Sequence, residues 1–189
     1  MARKPKAQDF PDPEKMLAAA LEASAIIHLR GGRAALIGGF AMQFYGSPRL
    51  TKDVDLAADR EIEMPDSWPE TGKRLTFGGR RVASPLGIDV DIMVRSDAFS
   101  DLYREAVETA VESEEGLLIV QPEYLAAMKL AARRPKDEDD LIYLLSMPGL
   151  VDRREARRIV RRYLGGKFAE DEFMSFADEA DWRRVREER

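Results

Sequence analysis

The spacing of apolar residues changes along the chain, and the first regular pattern is helical. Asp12 followed by Pro13 is typical of a helix start, because the carboxylate can cap the first turn and proline tolerates the first helical position. Apolar residues from Leu17 to Ile27 then recur at helical spacing, and the pattern ends at the glycine pair 31–32. We therefore predict an amphipathic helix that begins at Pro13.

Shorter apolar runs then predict strands, until a helical pattern returns after Pro122. The run 88–94 alternates strictly between acidic and apolar residues, which is typical of a half-buried strand. Residues 60–86 are rich in proline and glycine and predict an irregular insertion with an edge hairpin, built from the runs 74–77 and 81–83. The predicted strands are 34–37, 54–57, 88–94 and 117–120, and the predicted helices are 40–45, 96–111 (with Ser96 as cap), 123–134, 137–147, 152–164 and 170–186.

The order of these elements predicts a mixed α/β (α+β) fold. Helix, strand and insertion alternate first and helices follow, so we expect a small mixed β-sheet with flanking helices and a helical C-terminal part. We expect a flexible N-terminal tail at 1–11, a core at 12–121 and the helical C-terminal part at 122–189.

Composition narrows the possible chemistry. The chain has 189 residues, of which 44% are hydrophobic and 34% charged, so it can bury a core and keep a well-solvated surface. It has no cysteine, which excludes disulfides and thiolate metal sites, and its single histidine, His28, excludes multi-histidine metal sites. The formal net charge of -5 argues against a protein that coats nucleic acid through bulk electrostatics.

The chain also lacks several common targeting and binding signals. The basic N-terminus is followed by a polar stretch, and no apolar run approaches the length of a membrane span, so we expect a cytoplasmic protein without membrane contact. The sequence contains neither a P-loop nor a dinucleotide-binding fingerprint.

Two pairs of aspartates carry the candidate chemistry. Thirteen residues separate the dipeptide Gly38-Gly39 from the first pair, Asp53 and Asp55, and the second pair, Asp89 and Asp91, lies in the alternating run. Alternate residues of a strand point the same way, so each pair shares one face. Glycines after a strand let backbone N–H groups approach phosphate, and carboxylates are ligands that suit Mg²⁺. The spacing therefore indicates transfer of a nucleotidyl group from an NTP.

This pattern resembles the nucleotidyltransferase superfamily of the DNA polymerase β-like type. In that superfamily a Gly-Gly or Gly-Ser is followed, after roughly nine to thirteen residues, by Asp-x-Asp, with a third Asp on a later strand. More narrowly, Ile37-Gly-Gly-Phe-Ala41 and Arg49-Leu-Thr-Lys-Asp-Val-Asp-Leu56 resemble the AbiEii and MNT-type enzymes of toxin–antitoxin systems. The later segments Pro122-Glu-Tyr-Leu-Ala-Ala-Met-Lys129 and Arg133-Arg-Pro-Lys-Asp-Glu-Asp-Asp-Leu141 are similar to that group as well.

The resemblance implies a nucleotidyltransferase core and a role for each matching residue. Asp53, Asp55 and Asp91 are implied to bind Mg²⁺, with Asp91 acting on the incoming hydroxyl. Lys129 is implied to approach the triphosphate of the bound NTP. The residues expected at the substrate are Gly38, Gly39, Arg49, Thr51, Lys129 and Lys136. ATP binding is implied too, although the residues do not name the base of the NTP, and the acceptor is an RNA end (tRNA-like) or a hydroxyl of a cognate partner protein.

Several alternatives stay open at this point. Asp89 and Asp91 share a face and only one is needed; we favour Asp91 because it precedes the apolar pair 92–93, with Asp89 in reserve. The alternative function is a non-catalytic antitoxin-like or regulatory binding module that keeps the fold. The arginines of helix 152–164 form either a solvated face or a basic flank for RNA or an acidic partner. The oligomeric state is not indicated.

Overall fold

A mixed sheet lies at the centre of the molecule. The computed structural model describes residues 10–75 and 78–187, and within them it contains seven strands and seven helices. The predicted mixed α/β class is therefore confirmed. The strands are β1 (Ala34–Ile37), β2 (Asp53–Ala58), β3 (Glu70–Arg74), β4 (Arg80–Ala83), β5 (Asp89–Met93), β6 (Val111–Glu112) and β7 (Leu118–Ile119). The helices are α1 (Pro13–Leu29), α2 (Gly38–Phe44), α3 (Ser100–Glu108), α4 (Pro122–Ala132), α5 (Pro135–Ser146), α6 (Arg153–Tyr163) and α7 (Lys167–Glu187).

The strand order brings the two aspartate pairs side by side. The order is β3-β4-β5-β2-β1-β7-β6, and β2 runs parallel to β5 but antiparallel to β1. In the β2–β5 register Asp53 lies opposite Asp89, and Asp55 lies opposite Asp91. Because β1 runs antiparallel to β2, its last residue, Ile37, lies opposite Asp55 at the same sheet edge. One edge of the sheet therefore collects both acidic pairs and the start of α2.

Burial of the central strands explains why these segments fold as they do. Every residue of β1 is buried, and so are Val54 of β2 and Val90 of β5, each of which lies between two aspartates. The helices α1 and α3 pack against β1 and β2. The α1 start is as predicted, since the side chain of Asp12 accepts a hydrogen bond from the Glu14 N–H at 3.0 Å.

The C-terminal helices pack mainly on one another. α4 contacts α5 and α6, and α7 contacts α5 and α6. The apolar face predicted for α6 is present, with Ala156, Ile159 and Val160 buried, while five of its arginines pair with carboxylates of the same chain: Arg153, Arg157, Arg158, Arg161 and Arg162. None of the described helices combines the length and apolar character that crossing a membrane requires.

Element boundaries depart from the sequence expectations in several places. α2 includes the glycine pair instead of starting after it. α3 begins at Ser100, and Asp97, rather than Ser96, accepts a hydrogen bond just before it, from the Phe99 N–H. The first hairpin strand is the polar β3 rather than the run 74–77, of which residues 76 and 77 lie outside the described residues. β6 consists of two exposed residues, and no alternating apolar pattern in the sequence indicated this strand. The tail expected at 1–11 lies outside the described residues except for 10 and 11.

Candidate functional site

A cavity of about 410 Å³ opens at the sheet edge where the acidic pairs meet. Asp53, Asp55 and Asp91 line it from the strands, and Gly38 and Gly39 line it from the first turn of α2. The predicted substrate residues from the later segments line it too: Arg49, Thr51, Lys129 and Lys136. The structure thus brings together all nine predicted site residues around one cavity.

Three carboxylates converge in this cavity. One oxygen from each of Asp53, Asp55 and Asp91 lies within 4.8 Å of the others. Asp89 stands outside this group, and 46% of its side chain is exposed, against 7% for Asp91. Of the two aspartates left open by the sequence, Asp91 is therefore the one that the fold places beside the Asp-x-Asp pair.

A guanidinium group that the sequence did not single out lies among these carboxylates. Arg81 of β4 donates to both oxygens of Asp91, from Nε at 2.5 Å and from Nη2 at 2.7 Å. Its Nη2 also donates to Asp53 at 3.2 Å, and its Nη1 lies 3.6 Å from Asp89. The hydrogen bonds to Asp91 raise the pKa of Arg81 above its usual value, so the group stays charged.

The carboxyl group of Asp55 has an unusually high pKa. Burial raises the pKa of Asp55 to about 7, and the neighbouring charges of Asp53 and Asp91 act in the same direction. Lys129 and a hydrogen bond from the Gly39 backbone lower the pKa of Asp55, but they do not outweigh the burial. The protein groups around the three carboxylates therefore leave part of their negative charge uncompensated.

The donor set fits a hard divalent cation. Three aspartate oxygens within 4.8 Å are the ligand type that Mg²⁺ prefers, and a bound cation would offset the charges of Asp53 and Asp91, which add to the effect of burial in raising the pKa of Asp55. Asp53, Asp55 and Asp91 are the residues that would hold such an ion.

The glycine pair is required by the close approach of α2 to Asp55. Gly38 has φ +69°, and a Cβ atom built on it would lie 2.0 Å from Oδ2 of Asp55. A Cβ atom on Gly39 would lie 2.9 Å from Oγ1 of Thr51, which itself donates to Asp53 at 3.0 Å. The two glycines therefore let the helix start sit directly against the carboxylates.

A second charged cluster borders the cavity, and its charges are mutually compensated. Lys129 is buried, and its Nζ donates to Asp137 at 3.1 Å and to Asp140 at 2.6 Å. Arg49 donates to both oxygens of Asp140, at 2.7 and 2.6 Å, and Arg134 pairs with Asp137. Burial alone would raise the pKa of Asp140, but the hydrogen bonds from Arg49 and Lys129 hold it below its usual value. This cluster joins α4, α5 and the segment before β2 into one wall.

Apolar side chains also line the cavity. They include Met93, Tyr103, Leu125 and Met128. Burial raises the pKa of the Tyr103 hydroxyl, which keeps it neutral. No pattern in the sequence distinguished Tyr103 from an ordinary core aromatic residue. Arg81 could have been placed by pairing the run 81–83 with the alternating strand across the turn at 84–87, which puts Arg81 opposite Asp91.

The solved structures that resemble this chain include two nucleotidyltransferase-like proteins of limited similarity. No protein-family model matches the sequence, and no curated protein matches it significantly. An antigenic nucleotidyltransferase-like protein from Paracoccidioides brasiliensis aligns with a TM-score of 0.48 and 16% identity, over 88% of this chain and 94% of that chain. A protein from H. pylori described as a candidate nucleotidyltransferase aligns with a TM-score of 0.47 and 16% identity, over 92% and 94%. Function is therefore inferred from the side chains of the cavity.

The close approach of α2 predicts a specific cost for a methyl group at Gly38. Gly38→Ala should lower the free energy of unfolding by roughly 1–2 kcal/mol for the left-handed backbone, and by about a further 1–3 kcal/mol for the collision with Asp55. Gly87→Ala is the matched control, because Gly87 has φ +74° and nothing within 4 Å of its Cβ position. Urea denaturation measures both, and equal losses would show that the contact with Asp55 has no energetic weight.

The high pKa of Asp55 predicts a pH-dependent stability. The carboxyl titrates near 3.8 in the unfolded chain and near 7 in the folded protein, so folding favours its protonated form. Without divalent cations, the unfolding free energy of the wild type should fall relative to Asp55→Asn as pH rises from about 4 to about 7, and then level off. Denaturation across this pH range checks it. A difference between the two proteins that stays constant with pH would contradict the prediction.

The ion pairs of the compensated cluster predict that Lys129 contributes strongly to the stability of the folded protein. Lys129→Met should lower the unfolding free energy by about 3–5 kcal/mol, because Asp137 and Asp140 lose the cation they share in a buried position. Lys136→Met is the control: Lys136 lines the same cavity but is exposed, so a change of no more than about 0.5 kcal/mol is expected. Thermal and urea denaturation measure both variants, and comparable stabilities would argue against a supporting role for Lys129.

Proposed function

We propose that this protein is a Mg²⁺-dependent nucleotidyltransferase that moves an NMP group from an NTP to a hydroxyl of an acceptor. The observation that carries the proposal is the group of three carboxylates beside the Gly38-Gly39 pair, whose negative charge the protein does not fully compensate. The cavity they line measures about 410 Å³, within the usual range for small-ligand sites. This is the arrangement expected of a site that receives a cation together with a phosphate chain.

The proposed reaction assigns a role to each carboxylate. Asp53, Asp55 and Asp91 would hold the cation, whose chemistry when bound is to neutralise phosphate charge. The acceptor hydroxyl oxygen forms a bond to the α-phosphorus, and the bond from that phosphorus to the bridging oxygen of the β-phosphate breaks. Pyrophosphate leaves, and the hydroxyl proton passes to the carboxylate of Asp91.

The phosphate chain would lie between the glycine pair and the positive groups of the later helices. The backbone of Gly38 and Gly39 lines the cavity without side chains, and the positive groups of Arg49 and Lys136 line it as well. Lys129 is buried against Asp137 and Asp140. Because Lys129 and Arg49 both donate to Asp140, Lys129 would help to hold Arg49 in place and would add its positive charge to the site. The proposed catalytic core at 12–121 and helical part at 122–189 thus both supply substrate-binding residues.

The acceptor is proposed from the residue patterns that resemble AbiEii and MNT-type enzymes. Those patterns include the glycine pair, the Asp-x-Asp pair, Lys129 and the segment that begins at Lys136. The proposed acceptor is accordingly a tRNA-like RNA end or a hydroxyl of a cognate protein, within a toxin–antitoxin pair in the cytoplasm, with ATP as the first NTP to test.

The proposal predicts the loss of transfer when the Asp-x-Asp pair is neutralised. The double variant Asp53→Asn with Asp55→Asn should lose about a thousandfold in rate, since a cation contributes several kcal/mol to the stabilisation of charge in the transition state. Asp101→Asn, an exposed aspartate on α3, is the control and should keep the wild-type rate. The measurement is incubation with each radiolabelled NTP and total cell RNA or protein.

Two further outcomes of that assay bear on the proposal. Asp91→Asn should lose more transfer than Asp89→Asn, because Asp91 belongs to the group of three carboxylates. The proposed mechanism would be wrong if the Asp53/Asp55 double variant transferred nucleotide at the wild-type rate while circular dichroism showed that it was folded.

The second candidate is the non-catalytic binding module, and one observation favours it. The pairing of Arg81 with Asp91 and Asp53 supplies these carboxylates with an internal cation, as a site that binds no metal would need. Calorimetry with Mg²⁺ and NTP separates the two candidates. Mg²⁺-dependent NTP binding supports the enzyme, and lack of binding by every NTP supports the module.

A further inference from the structure

Arg81 contacts two of the three carboxylates that a divalent cation would use. Its Nε and Nη2 each contact a different oxygen of Asp91, so both oxygens of that carboxylate are engaged. Nη2 also reaches Oδ2 of Asp53. Asp91 is almost fully buried, which makes these hydrogen bonds strong and leaves Asp91 few other partners.

The contacts of Arg81 are unevenly distributed over the acidic edge. They extend to Asp91, Asp53 and Asp89, and among the described contacts none joins Arg81 to Asp55. Asp55 lies instead against Gly38 and Gly39 on the α2 side. An incoming cation therefore meets two unlike halves of the site: Arg81 pairs with Asp91, whereas no described contact joins Arg81 to Asp55.

We propose that Arg81 competes with the divalent cation for Asp91 and Asp53, and so controls when Asp91 becomes a ligand. The inference rests on the proposed function, because it takes the same three carboxylates to be the cation site. A cation first binds Asp55 and Asp53. Asp91 becomes a ligand once the guanidinium group of Arg81 has moved away from it. Arg81 is thus a positioning residue that sets the affinity of the site.

The surroundings of Arg81 allow such a withdrawal. Its side chain is 19% exposed, and Asp89, on the open side of the same edge, already lies 3.6 Å from Nη1. When the guanidinium leaves Asp91 it retains a carboxylate partner, and so the movement does not strand an unpaired charge in the interior. The backbone of Arg81 stays fixed meanwhile by the pairing of β4 with β5.

The first test is a calorimetric titration with Mn²⁺ and with Mg²⁺ in the absence of NTP. Arg81→Gln should bind the ion roughly tenfold more tightly than the wild type, or better, because a positive charge within a few ångströms of the ion is removed. Arg81→Lys should fall between the two, because lysine keeps the charge but cannot contact both oxygens of Asp91 as a planar fork.

A matched control lies one residue away. Arg80 is the neighbouring arginine of β4, and it pairs with Glu70 at 2.6 Å and with Glu61 at 3.6 Å, away from the cavity. Arg80→Gln should therefore leave the ion affinity unchanged. Equal affinities for the wild type, Arg80→Gln and Arg81→Gln would overturn the inference, and weaker binding by Arg81→Gln would overturn it as well.

A second measurement uses the wild type alone, so it holds even if Arg81→Gln does not fold. The Nε–H of Arg81, followed by ¹⁵N NMR, should be protected from solvent exchange without a cation, and should lose that protection at saturating Mg²⁺. Unchanged protection would overturn the inference while leaving the proposed function intact. If neither the wild type nor Arg81→Gln binds Mn²⁺ or Mg²⁺, the inference and the proposed cation site both fail.

Discussion

Repulsion among carboxylates at one sheet edge is the constraint on which the rest of this structure depends. Parallel pairing of β2 with β5 puts the two aspartate pairs next to each other, and like charges at that distance oppose folding. The opposing contribution comes from the other face of the same strands, where Val54, Leu56, Val90 and Ile92 are buried. Their burial stabilises the register that holds the acids together. The buried face of β2 and β5 thereby keeps the aspartates together although their charges repel one another.

The balance of charge distinguishes the two ionic clusters of the cavity. The cluster of Lys129, Asp137 and Asp140, with the arginines that pair with them, contains enough cations for its acids and joins helices together. At the acidic edge, Arg81 contacts three of four carboxylates, and the pKa of Asp55 stays high. A compensated cluster behaves as structure, whereas an uncompensated one attracts a further cation. This difference, more than the residue types alone, distinguishes the cluster around Lys129 from the acidic edge.

The residues that line the cavity were easier to place from the sequence than the element boundaries, for physical reasons. Alternation and spacing are local properties, so the acidic pairs, the glycine pair and the main strands could be placed from them. The choice between Asp89 and Asp91 needed the third dimension, because both lie on one face and only the packing of β4 and α2 makes them unequal. β3 is polar and β6 is exposed, so neither left an apolar pattern. Arg81 escaped notice because its significance lies in a partner ten residues away on another strand.

The two adjacent arginines of β4 have a consequence for a deletion in the turn that follows them. The turn at 84–87 sets the register in which Arg81 faces Asp91 while Val82 is buried. Deletion of one residue from this turn, with its geometry otherwise kept, would exchange the two faces of β4. Arg80 would then face Asp91, and Val82 would lose its place in the core. The repeat of arginine thus preserves the charge over the acidic edge through a slip of register, and the valine makes that slip unfavourable. An arginine charge would still face Asp91 after such a deletion, whereas the packing of Val82 would be lost.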